Sequence, residues 1–360
     1  MTKKILFLTK NIDNKTGWGR YSWGIINEFI NYSDWQVTVA VESLNNRTNE
    51  LLILSKDRSI LSFLRTILIL RRLVKKYDII HCLDGYPYAI FVYLAVLGTN
   101  KKYFINGVGT FTIAPLKQRF KGWLLKRAYQ NAEKIFCISH YTAKRLRLLL
   151  PKLNNFIVVN PGLDSSLFGN IKSKSAPIQP KLISVGAIKG RKGQIYSIEA
   201  VRILKKKYPG VTLTLVGNFD EENYVRQINQ LVKLYHIENA VIFLQDLSDY
   251  DLQKEYAKAN IFIMPSINDG DNFEGFGLVY LEAGANGLPS IGCWESGAED
   301  AISDGLSGYL VEQGSSQAIV AAVMKILNNY EFLSSGAIHF ARNFNWSKTA
   351  EKYKKYYDRI

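Results

Sequence analysis

At 360 residues the chain is longer than one typical domain, and two domains of about 170 residues each are expected. Its 47% apolar content is that of a globular protein with a large core, yet it contains no run of about 18 apolar residues able to span a bilayer. The net charge of +15 belongs wholly to the first half. Residues 1–170 hold 25 Lys and Arg against 10 Asp and Glu, whereas the remainder balance at 21 of each.

In chain order, Ile5–Thr9 reads as a first strand, its apolar core too short for a signal peptide. Gly17-Trp18-Gly19-Arg20-Tyr21 then turns into a helix running to about Ile30. Gly17 and Gly19 allow backbone to approach a ligand closely, but the third spaced glycine of a dinucleotide site is missing. Further strands are expected at Gln36–Val41, Asp78–Leu83, Lys134–Ser139 and Phe156–Asn160. His81, inside an apolar strand, reads as a satisfied core histidine. Cys82, Cys137 and Cys293 are scattered without metal spacing, as buried thiols of a reducing, cytoplasmic compartment. The basic excess gathers at Arg65–Lys76 and Lys117–Arg147, where Leu, Ile, Phe and Trp123 interleave with the bases. Such a surface suits anionic lipid; a nucleic-acid footprint and a solvated helix face are the alternatives. No nucleic-acid motif accompanies it, so no nucleic-acid partner is expected.

Residues 173–180 are polar and proline-containing, which marks a linker between a first domain at 1–172 and a second at 181–335. Strands follow at Lys181–Ala187, Val211–Val216, Ala240–Leu244 and Asn260–Pro265. Helical periodicity is clear in Ile195, Ile198, Val201 and Leu204, and again in Ile319, Val323, Ile326 and Leu327. Continuous apolar strands alternating with amphipathic helices predict two doubly wound, Rossmann-like α/β domains. Ligands of such sheets bind beyond the carboxyl ends of the strands, here expected in an interdomain cleft.

Two loops of the second half carry chemistry. The turn Gly186–Gly193 holds Lys189, Arg191 and Lys192, suited to neutralising a diphosphate. The segment Asn268–Ala283 runs through a glycine-rich turn into an apolar helix, offering free N–H groups and a positive dipole end to phosphate. Glu274 in the turn and Glu282 in the helix are expected roughly 12 Å apart. Glycosidase carboxylate pairs need about 5 to 9.5 Å, so these two suit opposite ends of a long anionic ligand instead. Asp269-Gly270-Asp271 lacks a third acid or a histidine, and no metal site is expected. Nothing supports a hydrolase or a kinase.

Val159–Asp164, Val185-Gly186 with Lys192-Gly193, Leu215-Val216-Gly217, Glu274 with Glu282, and Asp304–Val311 together resemble glycosyltransferase family 4, with the two-domain GT-B fold. Phe344-Asn345-Trp346-Ser347 also fits, and the resemblance implies that residues 336–360 form a helix returning to the first domain. It further implies a metal-independent, retaining transfer from a nucleotide sugar. Glu274 would face the anomeric carbon, Glu282 the ribose, and Lys192 with Arg191 the diphosphate. Backbone N–H groups of Phe276, Gly277, Leu278 and Val279, with Gly17 and Gly19, would complete the phosphate cradle, and the base would lie near Leu247. Ala187 and Asn106 depart from the family's usual arginine and histidine; Asn106 is expected on the acceptor side. The expected donor is a UDP-sugar, glucose favoured over GDP-mannose. The expected acceptor is a glycolipid or polysaccharide at the inner face of a membrane. An inactive lipid-binding module and a nucleotide-sugar epimerase share the fold as other readings.

Overall fold

The computed structural model describes residues 2–14, 16–55, 57, 59–164, 167 and 173–360. By packing, the chain forms two units: Met1–Gly162 with Asn345–Ile360, and Leu163–Phe344. The expected boundary at residue 172 falls outside the described residues.

The first unit alternates strands and helices: β1 (Lys3–Leu8), α1 (Gly17–Asn31), β2 (Trp35–Val41), β3 (Glu50–Leu52), α2 (Ile60–Leu73), β4 (Ile79–Cys82) and α3 (Tyr88–Val96). It continues with β5 (Tyr103–Gly107), α4 (Thr110–Ile113), α5 (Arg119–Asn131), β6 (Lys134–Cys137), α6 (His140–Leu149) and β7 (Phe156–Val158). The seven strands form one parallel sheet in the order β3-β2-β1-β4-β5-β6-β7, with Ile5 of β1 level with Val37 and Ile79. The strand order steps outward from β1 in both directions. Right-handed crossovers therefore put α1 on one face and α2, α3, α5 and α6 on the other. Accordingly α2 packs on α3, and α3 on α5. Ser59 and Ser139 cap the N-termini of α2 and α6 through their hydroxyls.

The second unit comprises β8 (Lys181–Val185), α7 (Gln194–Leu204), β9 (Thr212–Val216), α8 (Glu222–Leu234), β10 (Val241–Leu244), α9 (Asp249–Lys258) and β11 (Ile261–Ile263). Then come α10 (Leu278–Ala285), β12 (Ser290–Cys293), α11 (Ala298–Ala301), β13 (Gly308–Val311), α12 (Ser316–Asn328) and α13 (Tyr330–Ala341). Its six strands are parallel in the order β10-β9-β8-β11-β12-β13. The periodic residues Ile198, Val201 and Leu204 of α7 pack with Ile319, Val323 and Ile326 of α12 in one buried core. Residues 173–180 lie within this unit. There the Lys174 ammonium donates to the carbonyls of Tyr256, Ala257 and Ala259 at 3.0, 2.9 and 2.9 Å, capping α9. Burial pushes the Lys174 pKa down to about 8.

Four strands went unseen in the sequence. Strand β3 has three residues, and β5 is a five-residue run that ends in asparagine and glycine. In β12 and β13, glycine and serine dilute the apolar signal. Residues 336–360 are also two elements rather than one: α13 packs on α10 in the second unit, and the chain crosses back after Phe344.

The returning element, α14 (Trp346–Tyr357), lies against α1 and lays Tyr353 and Tyr357 over the sheet. Tyr353 meets Phe136 at 4.6 Å and Tyr357 meets Phe104 at 4.8 Å between ring centroids. Each such aromatic pair adds about 0.5–1.5 kcal/mol beyond burial. Close to the start of α14, a Cβ on Gly24 would stand 2.1 Å from Cε2 of Trp346, so only glycine fits there. Gly24→Ala should destabilise the protein by about 1–3 kcal/mol, seen as a lower Tm. Adding Trp346→Ala removes the clash, so the double variant should lose less than the sum of the two single losses.

Candidate functional site

The chemistry-bearing residues of the second unit collect where the carboxyl ends of β8 and β11 give way to loops. After β8, residues Gly190–Lys192 form one 3-10 turn. Gly193, at φ 71°, closes it directly beneath Pro265, whose carbonyl oxygen a Cβ would meet at 2.0 Å. Only glycine permits both the left-handed backbone and the contact. The loop after β11 is tied to that turn by Ile267, whose N–H donates to the Arg191 carbonyl at 2.9 Å. It then delivers Glu274 to the two bases.

Glu274 is 8% exposed. Its Oε2 accepts from Lys192 Nζ at 2.5 Å and lies 3.4 Å from Arg191 Nη1, while its carbonyl accepts from Gly297 N–H at 2.8 Å. Burial on its own would raise this carboxyl's pKa; Lys192, then Arg191, outweigh burial and pull it down to about 2. Burial also holds the Lys192 pKa below the ordinary lysine value, with the Glu274 carboxylate opposing that fall. At neutral pH Glu274 is therefore an anion and has no proton to give.

Three residues on, Gly277 in the left-handed region leads directly into α10. The hydroxyl of Tyr280, in the first turn of the helix, donates to the Met264 carbonyl at 2.6 Å, fixing helix to strand end. The side chain of Phe276 is buried and tilts against Phe344, so only its backbone is available to a ligand. Leu278 and Val279 are half-buried at the helix start. Glu282, the fifth residue of α10, accepts from the Tyr256 hydroxyl of α9 at 3.2 Å. Asn286 donates to the Glu282 carbonyl at 2.9 Å and to Gln253 at 3.0 Å, joining α10 to α9. Leu247 lies in the β10–α9 connection, after the carboxyl end of the outermost strand and two strands away from β8.

Tyr256 carried no sequence signal as a partner: in Asp249–Lys258 it reads only as a core aromatic. Among the described residues no group of three or more His, Cys, Asp and Glu is arranged to hold a metal ion.

In the first unit, the N–H of Gly19 is taken by the Thr16 side chain at 3.0 Å as part of the α1 cap, while space around Gly17 is open. Asn106, expected on the acceptor side, is instead fully buried. Its amide donates to the Tyr21 and Tyr353 hydroxyls at 2.8 and 3.3 Å, and its oxygen lies 2.8 Å from His81 Nε2. His81 is indeed a core residue, held neutral by burial with its pKa pushed down to about 3.

Since Glu274 titrates lower in the folded than in the unfolded state, its stabilisation is fully present above about pH 4.5 and fades as pH falls toward about 2. Lys192→Met should cost about 3–5 kcal/mol at neutral pH by taking away the nearer partner of a buried charge and leaving only Arg191 at 3.4 Å. Adding Glu274→Gln should recover part of that loss and flatten the acid limb; urea unfolding at several pH values measures both effects.

Comparison with known proteins agrees with this architecture. The chain is similar in structure to Anabaena Alr3699/HepE, solved in complex with UDP and glucose, at TM-score 0.81 and 18% identity over 99% of this chain and 100% of that one. It is similar also to a glycosyltransferase from Rickettsia africae, at TM-score 0.82 and 18% identity over 99% and 98% of the two chains. These likenesses place the chain in the GT-B fold, two Rossmann-like parallel-sheet domains. Residues 170–339 match the family model for glycosyl transferases group 1, and residues 17–167 match that for glycosyltransferase family 4. The chain belongs to the family 4 glycosyltransferases. Among curated relatives it is 26% identical to a GDP-mannose-dependent alpha-(1-6)-phosphatidylinositol monomannoside mannosyltransferase of Mycolicibacterium smegmatis, over 56% of this chain and 55% of that protein. A D-inositol 3-phosphate glycosyltransferase of Geodermatophilus obscurus is 36% identical over 35% of this chain and 27% of its own length. The chain thus spans about half the length, or less, of these curated relatives.

Proposed function

We propose that this protein transfers a hexose, with retention and without a metal ion, from a UDP-sugar to a glycolipid or polysaccharide acceptor. UDP-glucose is the favoured donor. The observation that carries the reading is the convergence of Lys192 and Arg191 on the buried carboxylate of Glu274, one turn before the N-terminus of α10.

The diphosphate of the donor shares Lys192 and Arg191 with Glu274 and lies against the N–H groups that open α10. Glu282, steadied by Tyr256, accepts from the ribose hydroxyls. As the bond from the anomeric carbon to the diphosphate oxygen breaks, positive charge develops on the sugar. Glu274 is held as an anion by its low pKa, and it stabilises that charge. The acceptor oxygen bonds to the anomeric carbon on the same face, and its proton passes to the departing phosphate oxygen. No protein base is required, so binding geometry and fixed charges supply most of the rate.

The bound UDP and glucose of the HepE structure support a UDP-sugar donor. A GDP-mannose donor is the second reading, favoured by the name of the mycobacterial relative. Its acceptor, a phosphatidylinositol mannoside, also supports a lipid-linked acceptor here, reached from the inner face of a membrane.

Thermal unfolding with UDP, GDP or ADP tests donor class. Stabilisation by UDP alone is expected, about 2.7 kcal/mol at 100 times the dissociation constant, and should be lost in Lys192→Met. Stabilisation by GDP alone selects the second reading, and no stabilisation by any nucleotide refutes the donor site. Glu274→Gln should keep UDP binding while transfer falls by at least about a hundredfold. Tyr256→Phe should weaken UDP binding about three- to tenfold, the worth of one ordinary hydrogen bond, with smaller loss in kcat.

A further inference from the structure

The basic excess of the first unit is not spread evenly over its surface. Over residues 59–152 there are 17 Lys and Arg against three acids, and the structure disposes of all three acids away from the helix faces. Asp78 accepts from the Lys4 N–H beside β4, Asp84 is fully buried, and Glu133 pairs with Lys102 at 3.1 Å. Helices α2, α3, α5 and α6, all on one face of the sheet, contain no acidic residue. The opposite face differs: α14 carries Glu351 among its lysines, and α1 carries Glu28.

The same layer exposes large apolar side chains. On α2, Leu61, Leu64 and Leu68 are 79%, 52% and 61% exposed. They recur at helical spacing along one outward stripe, in which Arg65 and Arg72 also lie. On α5, Phe120 is 70% exposed and stacks on Trp123, with the Arg127 guanidinium over the Trp123 ring. A solvated face has no use for outward leucines, and a nucleic-acid footprint gains nothing from them. Leucines and a tryptophan beside arginines are what an anionic bilayer surface takes up: acyl boundary for the first, headgroups for the second.

We propose that the exposed side of α2 and α5 docks on an anionic lipid bilayer, with the α2 stripe Leu61–Leu64–Leu68 entering the acyl boundary and Arg65 and Arg72 at the headgroups. This names the surface through which a lipid-linked acceptor would be met. It rests on the first unit alone, so a protein that bound no nucleotide would still bind vesicles.

The test is sedimentation of the full-length chain with vesicles of phosphatidylcholine, alone or mixed with an equal amount of phosphatidylglycerol, at low and high salt. Binding should require the anionic lipid and weaken with salt. Arg65→Gln with Arg72→Gln should weaken it by at least about tenfold, since each well-placed base contributes about a fivefold factor. Leu64→Ser with Leu68→Ser should lower binding comparably and leave a residue that salt removes entirely. Lys352→Gln with Lys355→Gln, exposed on α14 across the sheet, should change binding less than twofold. All these positions are exposed, so unchanged Tm values are expected to show intact folding. The proposal is overturned by absent binding to anionic vesicles at low salt, by equal losses in the α14 control, or by tighter binding to duplex DNA or RNA than to vesicles.

Discussion

A carboxylate that is almost wholly out of water has to be matched by cations, and much of the second unit serves that requirement at Glu274. Desolvating an ion costs several kcal/mol, and the mutual attraction offsets this only when the geometry is close. Lys192 at 2.5 Å and Arg191 at 3.4 Å satisfy that condition. They reach Glu274 because Gly193 turns the chain under Pro265, because Ile267 is bonded to Arg191, and because Tyr280 anchors α10 to the end of β11. The first two contacts join the loop after β8 to the loop after β11, and the third fixes the far end of the latter. The ion pair is thus a product of two strand ends being neighbours in the sheet, as their pairing makes them.

The two glutamates of the segment occupy different chemical surroundings. Glu274 faces cations and is fixed in its charged form. Glu282 receives a hydrogen bond from a phenol on α9, and the Asn286–Gln253 contact holds the two helices at that spacing. A group bound by charge can share its cations with a second anion and still respond to positive charge developing nearby. A group oriented by a neutral donor is better suited to directing hydroxyls. The two carboxylates are therefore suited to different partners.

Much of the fold was legible because parallel strands buried on both faces leave continuous apolar runs, as in Ile5–Leu8 and Leu182–Val185. Short strands built on glycine and serine, such as β12, leave no such run and were invisible. The pairing of Glu274 with Lys192 was only half readable. The loops carried the right residue types, but the sequence assigned both bases to an absent ligand and not to Glu274. Tyr256 was unreadable, since a core tyrosine and a tyrosine that bonds a carboxylate have the same local pattern. Leucines interleaved with bases from Arg65 onward did suggest a surface, but helical spacing does not say which leucines face outward; the packing shows that Leu61, Leu64 and Leu68 do.

Asn106 illustrates why a departure from a family's usual residue need not be a change at the site of chemistry. His81 is neutral, so it has one donor and one acceptor nitrogen. Its Nδ1 meets the Tyr357 hydroxyl and its Nε2 meets the Asn106 oxygen. The Asn106 amide then has two N–H groups to place, and Tyr21 and Tyr353 take them. A neutral imidazole at position 106 has a single N–H and could not serve both tyrosines while also accepting from His81. Three partners, all of them on the returning helix α14 or bonded to it, thus specify an amide. Asn106 fastens α14 to the sheet, and while it is buried in that role it cannot touch an acceptor.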